Sequence, residues 1–181
     1  EAHHLRDSIR LKPGDACLVT DGQGGEAEAV VGEFSADGRA CLQIQRVLIK
    51  TGSFNDVLTL KVFPVMLRKG KTDLLVEKAQ ELGVHEFHPV VSEHCEVQAA
   101  KEKVAKIVER WNRIAQEASK QSGNLRILKI EAPRNFKEAL GDIPDDEPVV
   151  IFHPGPGSVP FPEWLAEIQG LKGTVKTLNL F

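Results

Sequence analysis

The chain has 181 residues and a formal net charge of −3, with 41% hydrophobic and 27% charged residues. This composition is typical of a folded globular protein and excludes disordered, collagen-like and low-complexity classes. The sequence has no apolar run of the roughly 20 residues that a membrane-spanning helix needs, and its first residues do not resemble a signal peptide. We therefore expect a cytoplasmic protein with no membrane partner. Three cysteines without a CxxC pair favour reduced thiols.

The first 53 residues predict a small β-barrel domain. Its strands, separated by glycine-containing turns, are predicted at residues 17–20, 27–33 and 40–49. Ala36-Asp37-Gly38 is typical of a hairpin turn, and Thr51-Gly52-Ser53 of a linker. The domains are therefore expected at residues 1–53 and 54–181.

From Val57 onward, predicted strands alternate with predicted helices. The strands are expected at residues 57–66, 84–91, 126–130, 149–153 and 174–181. The helices are expected at residues 72–82, 99–122 and 162–169, with a shorter one opened by a capping box at Asn135. This order predicts an α/β fold, a parallel sheet with helices on both faces, whose ligands bind beyond the carboxyl ends of the strands.

A cationic loop, Arg68-Lys69-Gly70-Lys71, follows the first strand of this α/β part. Lysine and arginine bind RNA phosphates by displacing condensed counterions, so the loop suits a nucleic-acid backbone. A loop that only keeps the protein soluble has the same composition, and both interpretations stay open.

The long predicted helix carries a second group of cations at helical spacing. The members of this stripe are Lys103, Lys106, Arg110, Arg113 and Lys120. A stripe of this kind suits RNA binding, although a solvated helix face has the same spacing. The polar turn after the helix, which begins with Gln121 and includes Arg126, is typical of ligand contacts and equally of ordinary connections.

Two further groups of residues have side chains or a position suited to metal, thiol or cofactor chemistry. His85, His88, His94 and Cys95 are ligand types for zinc, but His85 and His88 point to opposite faces of a strand, so no metal is expected. The loop that begins His153-Pro154-Gly155 lacks both the P-loop and the GxGxxG pattern. It is therefore predicted as a loop beside a cofactor rather than as a phosphate cradle.

Several stretches together resemble the bacterial 16S ribosomal RNA uridine-N3 methyltransferases. They are His3-His4-Leu5-Arg6, Leu11-Lys12-Pro13-Gly14-Asp15, Lys71-Thr72-Asp73, KAxELGV at 78–84, Pro89, Ser92-Glu93 and RWxxIAxEASxQSG at 110–123. The resemblance covers essentially the whole chain. It implies a small PUA-like barrel followed by a SPOUT domain, in which a parallel α/β sheet carries a trefoil knot.

The same resemblance implies an activity and its participants. These enzymes transfer a methyl group from S-adenosylmethionine to N3 of a uridine in assembled small-subunit RNA, and SPOUT enzymes act as homodimers. In such a reaction a cation, Lys71 or Arg126, is expected to stabilise the developing uracil anion. Arg68, Lys69, the stripe and Gln121 are expected to bind RNA, and His153, Pro154 and Gly155 are expected to border the cofactor. A proton must leave N3, and no residue stands out as its base.

The sequence also departs from the family pattern. His94 and Asn124 stand where the family usually has arginine, and Leu128 replaces a usual proline. The family's glycine-rich GPEGG loop and its LRxETA segment, which make the knot and most of the donor pocket, are expected to follow Phe181. A fragment of a longer protein is therefore expected.

Two other classes of function remain open from the sequence. The first is a non-catalytic RNA-binding protein with a barrel and a degenerate SPOUT-like domain, which a missing GPEGG-type loop would favour. The second is a small-molecule enzyme on a flavodoxin-like sheet, which the absence of a visible phosphate loop disfavours.

Overall fold

The computed structural model describes residues 10–35, 37, 39–49, 58–68, 70–93, 101–153, 155–169 and 175–181. The predicted linker at residues 51–53 lies outside these ranges, as do His94 and Cys95. The chain divides into two compact units, Glu1–Asn55 and Asp56–Phe181. Within the described ranges, no helix is both long enough and apolar enough to cross a bilayer.

The first unit contains an antiparallel sheet of three strands in the order β1-β2-β3. The strands are β1 (Ala16–Thr20), β2 (Glu26–Phe34) and β3 (Ala40–Ile49), close to the predicted bounds. The side chain of Asp21 closes the first turn, because its Oδ1 accepts from the backbone N–H groups of Gln23 and Gly25. Ala29 and Val31 are buried on one face. In the described part of the unit this is an open sheet.

The second unit is built on a parallel sheet of five strands in the order β7-β5-β4-β10-β9. These strands are β4 (Thr59–Val62), β5 (Glu86–Phe87), β7 (Lys129–Ile130), β9 (Val149–Val150) and β10 (Thr177–Leu180). A separate parallel pair joins β6 (Val90–Val91) to β8 (Arg134–Asn135). The helices are α1 (Lys71–Glu81), α2 (Lys101–Ser122), α3 (Phe136–Gly141) and α4 (Phe161–Gln169).

The main core lies between one face of this sheet and the helices α1 and α2. Its buried members are Met66, Val76, Ala79, Phe87, Trp111, Ala115 and Leu128. The central strands are polar on the opposite face, where Lys61, Glu86 and Asn179 lie side by side in register. Lys61 pairs with Glu147 at 3.2 Å. The prediction of helices on both faces of the sheet is therefore confirmed only in part. The helix α3 packs against Phe63 and Val90, which lie beyond the strand ends, rather than on a face of the sheet.

Local signals at helix ends are confirmed, whereas most predicted strands are too long. Gly83 has the left-handed φ of 76° expected after α1, and the side chain of Asn135 accepts from the N–H of Glu138. The strand predicted at 84–91 breaks because Pro89 has no N–H to donate, and Val90–Val91 pairs with β8 instead. The strands predicted at 57–66, 126–130, 149–153 and 174–181 are likewise shorter, at Thr59–Val62, Lys129–Ile130, Val149–Val150 and Thr177–Leu180.

Candidate functional site

The carboxyl edge of the parallel sheet carries a row of stacked rings. Phe63 follows β4, His88 follows β5 and Phe181 follows β10, so the three lie side by side in the strand order. The ring of Phe63 stacks on His88 at 4.6 Å and on Phe181 at 4.3 Å between centroids. Ligands of parallel sheets bind beyond this edge. We therefore expect a site near β9, the last strand in the order of the sheet.

A cleft of about 280 Å³ opens at the carboxyl end of β9. Its lining includes Phe152, His153, Ser158, Val159, Phe161 and Trp164. Phe161 stacks on Trp164 with ring centroids 5.8 Å apart and lies 5.5 Å from Phe152. Phe152 is 57% exposed. The cleft therefore offers aromatic walls that are accessible to a flat ligand.

The loop beside this cleft is closed on itself by Ser158. The hydroxyl of Ser158 lies 2.9 Å from the carbonyl oxygens of His153 and Gly155. A Cβ on Gly155 would lie 2.7 Å from Nδ1 of His153, so only glycine allows the imidazole to pack there. The structure thus brings two of the predicted cofactor-loop residues together. Pro154 lies outside the described residues.

The cationic loop is fixed by a buried hydroxyl. Thr72, which is 4% exposed, accepts from the N–H of Leu67 at 2.8 Å and donates to the carbonyl of Leu67 at 3.1 Å. Gly70 turns the chain into α1 with a φ of 73°. Arg68 and Lys71 are exposed within this closed loop. Lys69 lies outside the described residues.

The cations of the α2 stripe have two different environments. Arg110 pairs with Asp73 of α1, which also accepts from the indole N–H of Trp111 at 3.0 Å. Lys120 pairs with Glu117 at 3.1 Å, and Arg113 lies in a groove that Glu77 and Glu117 also line. Lys103 and Lys106 are exposed, and neither forms an ion pair within the described part of the chain.

A buried glutamine joins α1 to the polar turn after α2. Gln80 is 1% exposed; its Nε2 donates to the carbonyl of Arg126 and its Oε1 accepts from the N–H of Leu128, each at 2.6 Å. The side chain of Asn124 is also used internally, donating to the carbonyl of Gln80 and accepting from the N–H of Arg126. Sequence analysis missed Gln80, because nothing near it in the chain signals its partners.

The two residues predicted to stabilise an anion lie at opposite ends of α1. Lys71 is the first residue of α1, whereas Arg126 contacts Gln80, nine residues further along the helix. At 1.5 Å per residue this is a separation of about 13 Å along the axis. The structure brings Lys71 to the carboxyl edge of the sheet. Arg126 and Gln121 lie towards the amino edge, where β7 begins.

His88 is a buried titratable group in the ring row. Its Nε2 lies 2.8 Å from Glu86, while its Nδ1 is buried with no hydrogen-bond partner among the described residues. Burial lowers the pKa of His88 from its usual 6.5, against the opposing hydrogen bond to Glu86. His88 is therefore neutral in the folded protein at neutral pH.

This environment predicts that acid destabilises the fold through His88. Below about pH 6.5 the unfolded chain binds a proton at this histidine more readily than the folded one, so stability falls as the pH falls. His88→Phe keeps the ring stack and removes the titrating group. Urea unfolding at about pH 7.5 and 5.5 is expected to show a smaller loss of stability in this variant than in the wild type. His153→Gln, at an exposed histidine, should keep the wild-type difference; an unchanged difference in His88→Phe contradicts the assignment.

Two of the four side chains of zinc-ligand type, those of His85 and His88, contact other groups. Nδ1 of His85 accepts from the backbone N–H of Leu60 at 3.1 Å, and His88 contacts Glu86. Among the described residues, no three His, Cys, Asp or Glu side chains are grouped as metal ligands.

Known proteins resemble the chain in both units. A family model described as RNA methyltransferase domain matches residues 55–177, and one described as RNA methyltransferase PUA domain matches residues 1–37. The chain is 29% identical to ribosomal RNA small subunit methyltransferase E of Bacillus subtilis over 153 residues, which cover 83% of this chain and 58% of that protein. The corresponding protein of Synechocystis is also 29% identical over 153 residues, covering 83% of this chain and 47% of that protein. The chain thus spans about half the length of these relatives.

Solved structures share the fold at lower identity. A ribosomal RNA small subunit methyltransferase E from Neisseria gonorrhoeae, bound to S-adenosyl methionine, aligns with a TM-score of 0.73 at 21% identity, over 99% of this chain and 70% of that one. A putative methyltransferase from Legionella pneumophila, in complex with its cofactor SAM, aligns with a TM-score of 0.76 at 20% identity, over 99% and 79%. The fold, the parallel sheet and the match over residues 55–177 agree, and the chain belongs to the RNA methyltransferase family.

Proposed function

We propose that the protein transfers a methyl group from S-adenosylmethionine to N3 of one uridine in the 16S RNA of the small ribosomal subunit. The family match over residues 55–177 supports methyl transfer to RNA, and the names of the relatives support the small subunit as substrate. Among this chain's own residues, the proposal rests on those of the aromatic cleft at the carboxyl end of β9.

The residues of this cleft fit part of the methyl donor. A flat heterocycle such as adenine stacks on aromatic side chains, and Phe161 and Trp164 supply such walls. Gly155 supports the same role for the neighbouring loop, because a Cβ there would displace the ring of His153. We therefore propose His153 and Gly155 as the border of the donor site. When bound, S-adenosylmethionine supplies an activated methyl group for direct displacement at carbon.

The chain's own contribution to the reaction is alignment and charge. The acceptor nitrogen must lose its proton, which leaves negative charge on the uracil ring. We propose Lys71 as the cation that stabilises this charge. Its place at the start of α1, beyond the carboxyl end of β4, supports the role, since only β10 separates β4 from β9. The backbone of Arg126 contacts Gln80 near the other end of α1, so we assign this step to Lys71.

The proposal also covers the role of the first unit and the oligomeric state of the protein. Residues 1–53 form a PUA-like barrel that docks on RNA, which the PUA match over residues 1–37 and the antiparallel sheet support. The resemblance to SPOUT enzymes supports the assignment of residues 54–181 to a SPOUT methyltransferase domain, and it supports a homodimer. A ribosomal substrate supports action in the cytoplasm.

A labelling experiment tests the proposed function. Full-length protein is incubated with methyl-tritiated S-adenosylmethionine and purified small subunits, and the label in extracted RNA is counted. We expect label in small-subunit RNA and none in large subunits treated in the same way. Tight binding to small subunits without any label would instead support the non-catalytic RNA-binding protein.

A further inference from the structure

The α1 and α2 helices run side by side, and their contacts fix which residues share a level. Asp73, near the start of α1, contacts Arg110 and Trp111, while Glu81, at the end of α1, lines one groove with Glu117. The helices are therefore parallel to each other. Because α1 follows β4 and runs back from the carboxyl edge of the sheet, the amino-terminal turns of α2 lie on the carboxyl side.

Three carboxylates of this helix pair, those of Asp73, Glu77 and Glu117, lie along the second half of the stripe. Asp73 pairs with Arg110, and Glu117 pairs with Lys120. Arg113 lies in the groove between Glu77 and Glu117. An RNA phosphate approaching this half meets carboxylates as well as cations, which weakens its attraction.

In the first half of the stripe, neither Lys103 nor Lys106 forms an ion pair among the described residues, although the exposed Glu109 follows Lys106 by three residues. Lys106 precedes Arg110 by four residues and Lys103 precedes it by seven, which places them about 6 and 10 Å further along the α2 axis. Lys106 therefore lies near the level of Lys71, which is also exposed and has no ion pair in the described ranges. Helix axes in contact are typically 8–10 Å apart, so the three lysines form one cationic patch at the carboxyl side.

We propose that Lys103 and Lys106 of this patch bind the phosphate backbone of the RNA substrate, beside Lys71 at the reacting centre, and that the half of the stripe from Arg110 to Lys120 does not. The inference rests on the proposed function. The inference adds to that function because it assigns the RNA contact to the same edge of the sheet as the aromatic cleft. The RNA then reaches the reacting centre along the first turns of α2.

A pair of charge-matched variants tests the assignment. Lys103→Ala with Lys106→Ala and Arg113→Ala with Lys120→Ala each remove two positive charges from exposed positions of one helix. The affinity of the full-length protein for a 16S RNA fragment is measured at several salt concentrations. We expect the first variant to lower the slope of log affinity against log salt by about 1.5 and the affinity roughly tenfold. The second variant should keep the wild-type slope and affinity within about twofold.

The possible outcomes separate this inference from the proposed function. Equal losses in both variants, or wild-type slopes in both, overturn the patch, and the function stands if the wild type still methylates small-subunit RNA. A wild type that neither binds nor methylates RNA overturns both. Lys103→Gln with Lys106→Gln provides a second neutral pair, and circular dichroism confirms that each variant is folded. Agreement between the alanine and glutamine pairs supports the patch.

Discussion

Replacing Gln80 with leucine is expected to lower the free energy of unfolding by about 2–5 kcal/mol. Leucine fills a similar volume, but it leaves the carbonyl of Arg126 and the N–H of Leu128 without the partner that the Gln80 amide provides. A buried polar group that loses its partner costs about 1–3 kcal/mol, and two are affected here. Urea unfolding of the wild type and the variant measures the difference.

Two further variants define the cause of that loss. Gln116→Leu, at an exposed position of α2, makes the same chemical change without a buried partner and should alter stability by less than about 0.5 kcal/mol. Gln80→Glu keeps an acceptor for Leu128 but introduces a buried charge, so it should also be destabilised. A Gln80→Leu protein as stable as Gln116→Leu would show that the amide does not hold the turn.

Replacing Trp164 with alanine is expected to weaken binding of S-adenosylmethionine roughly tenfold. Trp164 and Phe161 form the stacked wall of the cleft beyond β9. Stacking of a base on an aromatic side chain contributes about 1–3 kcal/mol, and 1.4 kcal/mol corresponds to tenfold in affinity. Calorimetric titration of the full-length protein with S-adenosylmethionine measures the dissociation constant.

Aromatic replacements provide the controls for this prediction. Trp164→Phe keeps a stacking ring and should bind within about threefold of the wild type. Phe34→Ala removes an aromatic side chain from the other unit and should leave donor binding unchanged. If Trp164→Ala binds S-adenosylmethionine with wild-type affinity, the donor does not bind in this cleft. Equal losses of affinity in Trp164→Ala and Phe34→Ala would indicate a general loss of structure.

Features of the fold that depend on neighbouring residues were predictable from the sequence. The turn glycine after α1 and the Asn135 cap of α3 act within a few residues of the chain, so their patterns identify them. The alternation of strands and helices also predicted the parallel sheet. Strand ends were less predictable, because they depend on distant partners. Residues 126–128, just before β7, were predicted as part of a strand. The backbone N–H of Leu128 instead donates a hydrogen bond to the side chain of Gln80, 48 residues earlier in the sequence.

The side-chain contacts of the candidate site also depend on partners that are distant in the sequence, so they were not predictable from it. The spacing of the α2 cations reveals one stripe, but the acid that pairs with Arg110 is Asp73, 37 residues earlier. The α1–α2 packing that pairs them cannot be read from periodicity. The loop at His153 was predicted near a cofactor, whereas Trp164 was predicted only as part of a helix at residues 162–169 and Phe161 lies just before that range. Long-range packing therefore decides which polar and aromatic residues are available to ligands.

Nucleoside mass spectrometry identifies the base that receives the methyl group. Small-subunit RNA from cells that lack the protein is treated with full-length protein and S-adenosylmethionine, digested to nucleosides and compared with untreated RNA. We expect one new 3-methyluridine per 16S RNA and a reverse-transcription stop at a single position. A methyl group on another base, on a ribose or on the large-subunit RNA, or no methyl group at all, would contradict it.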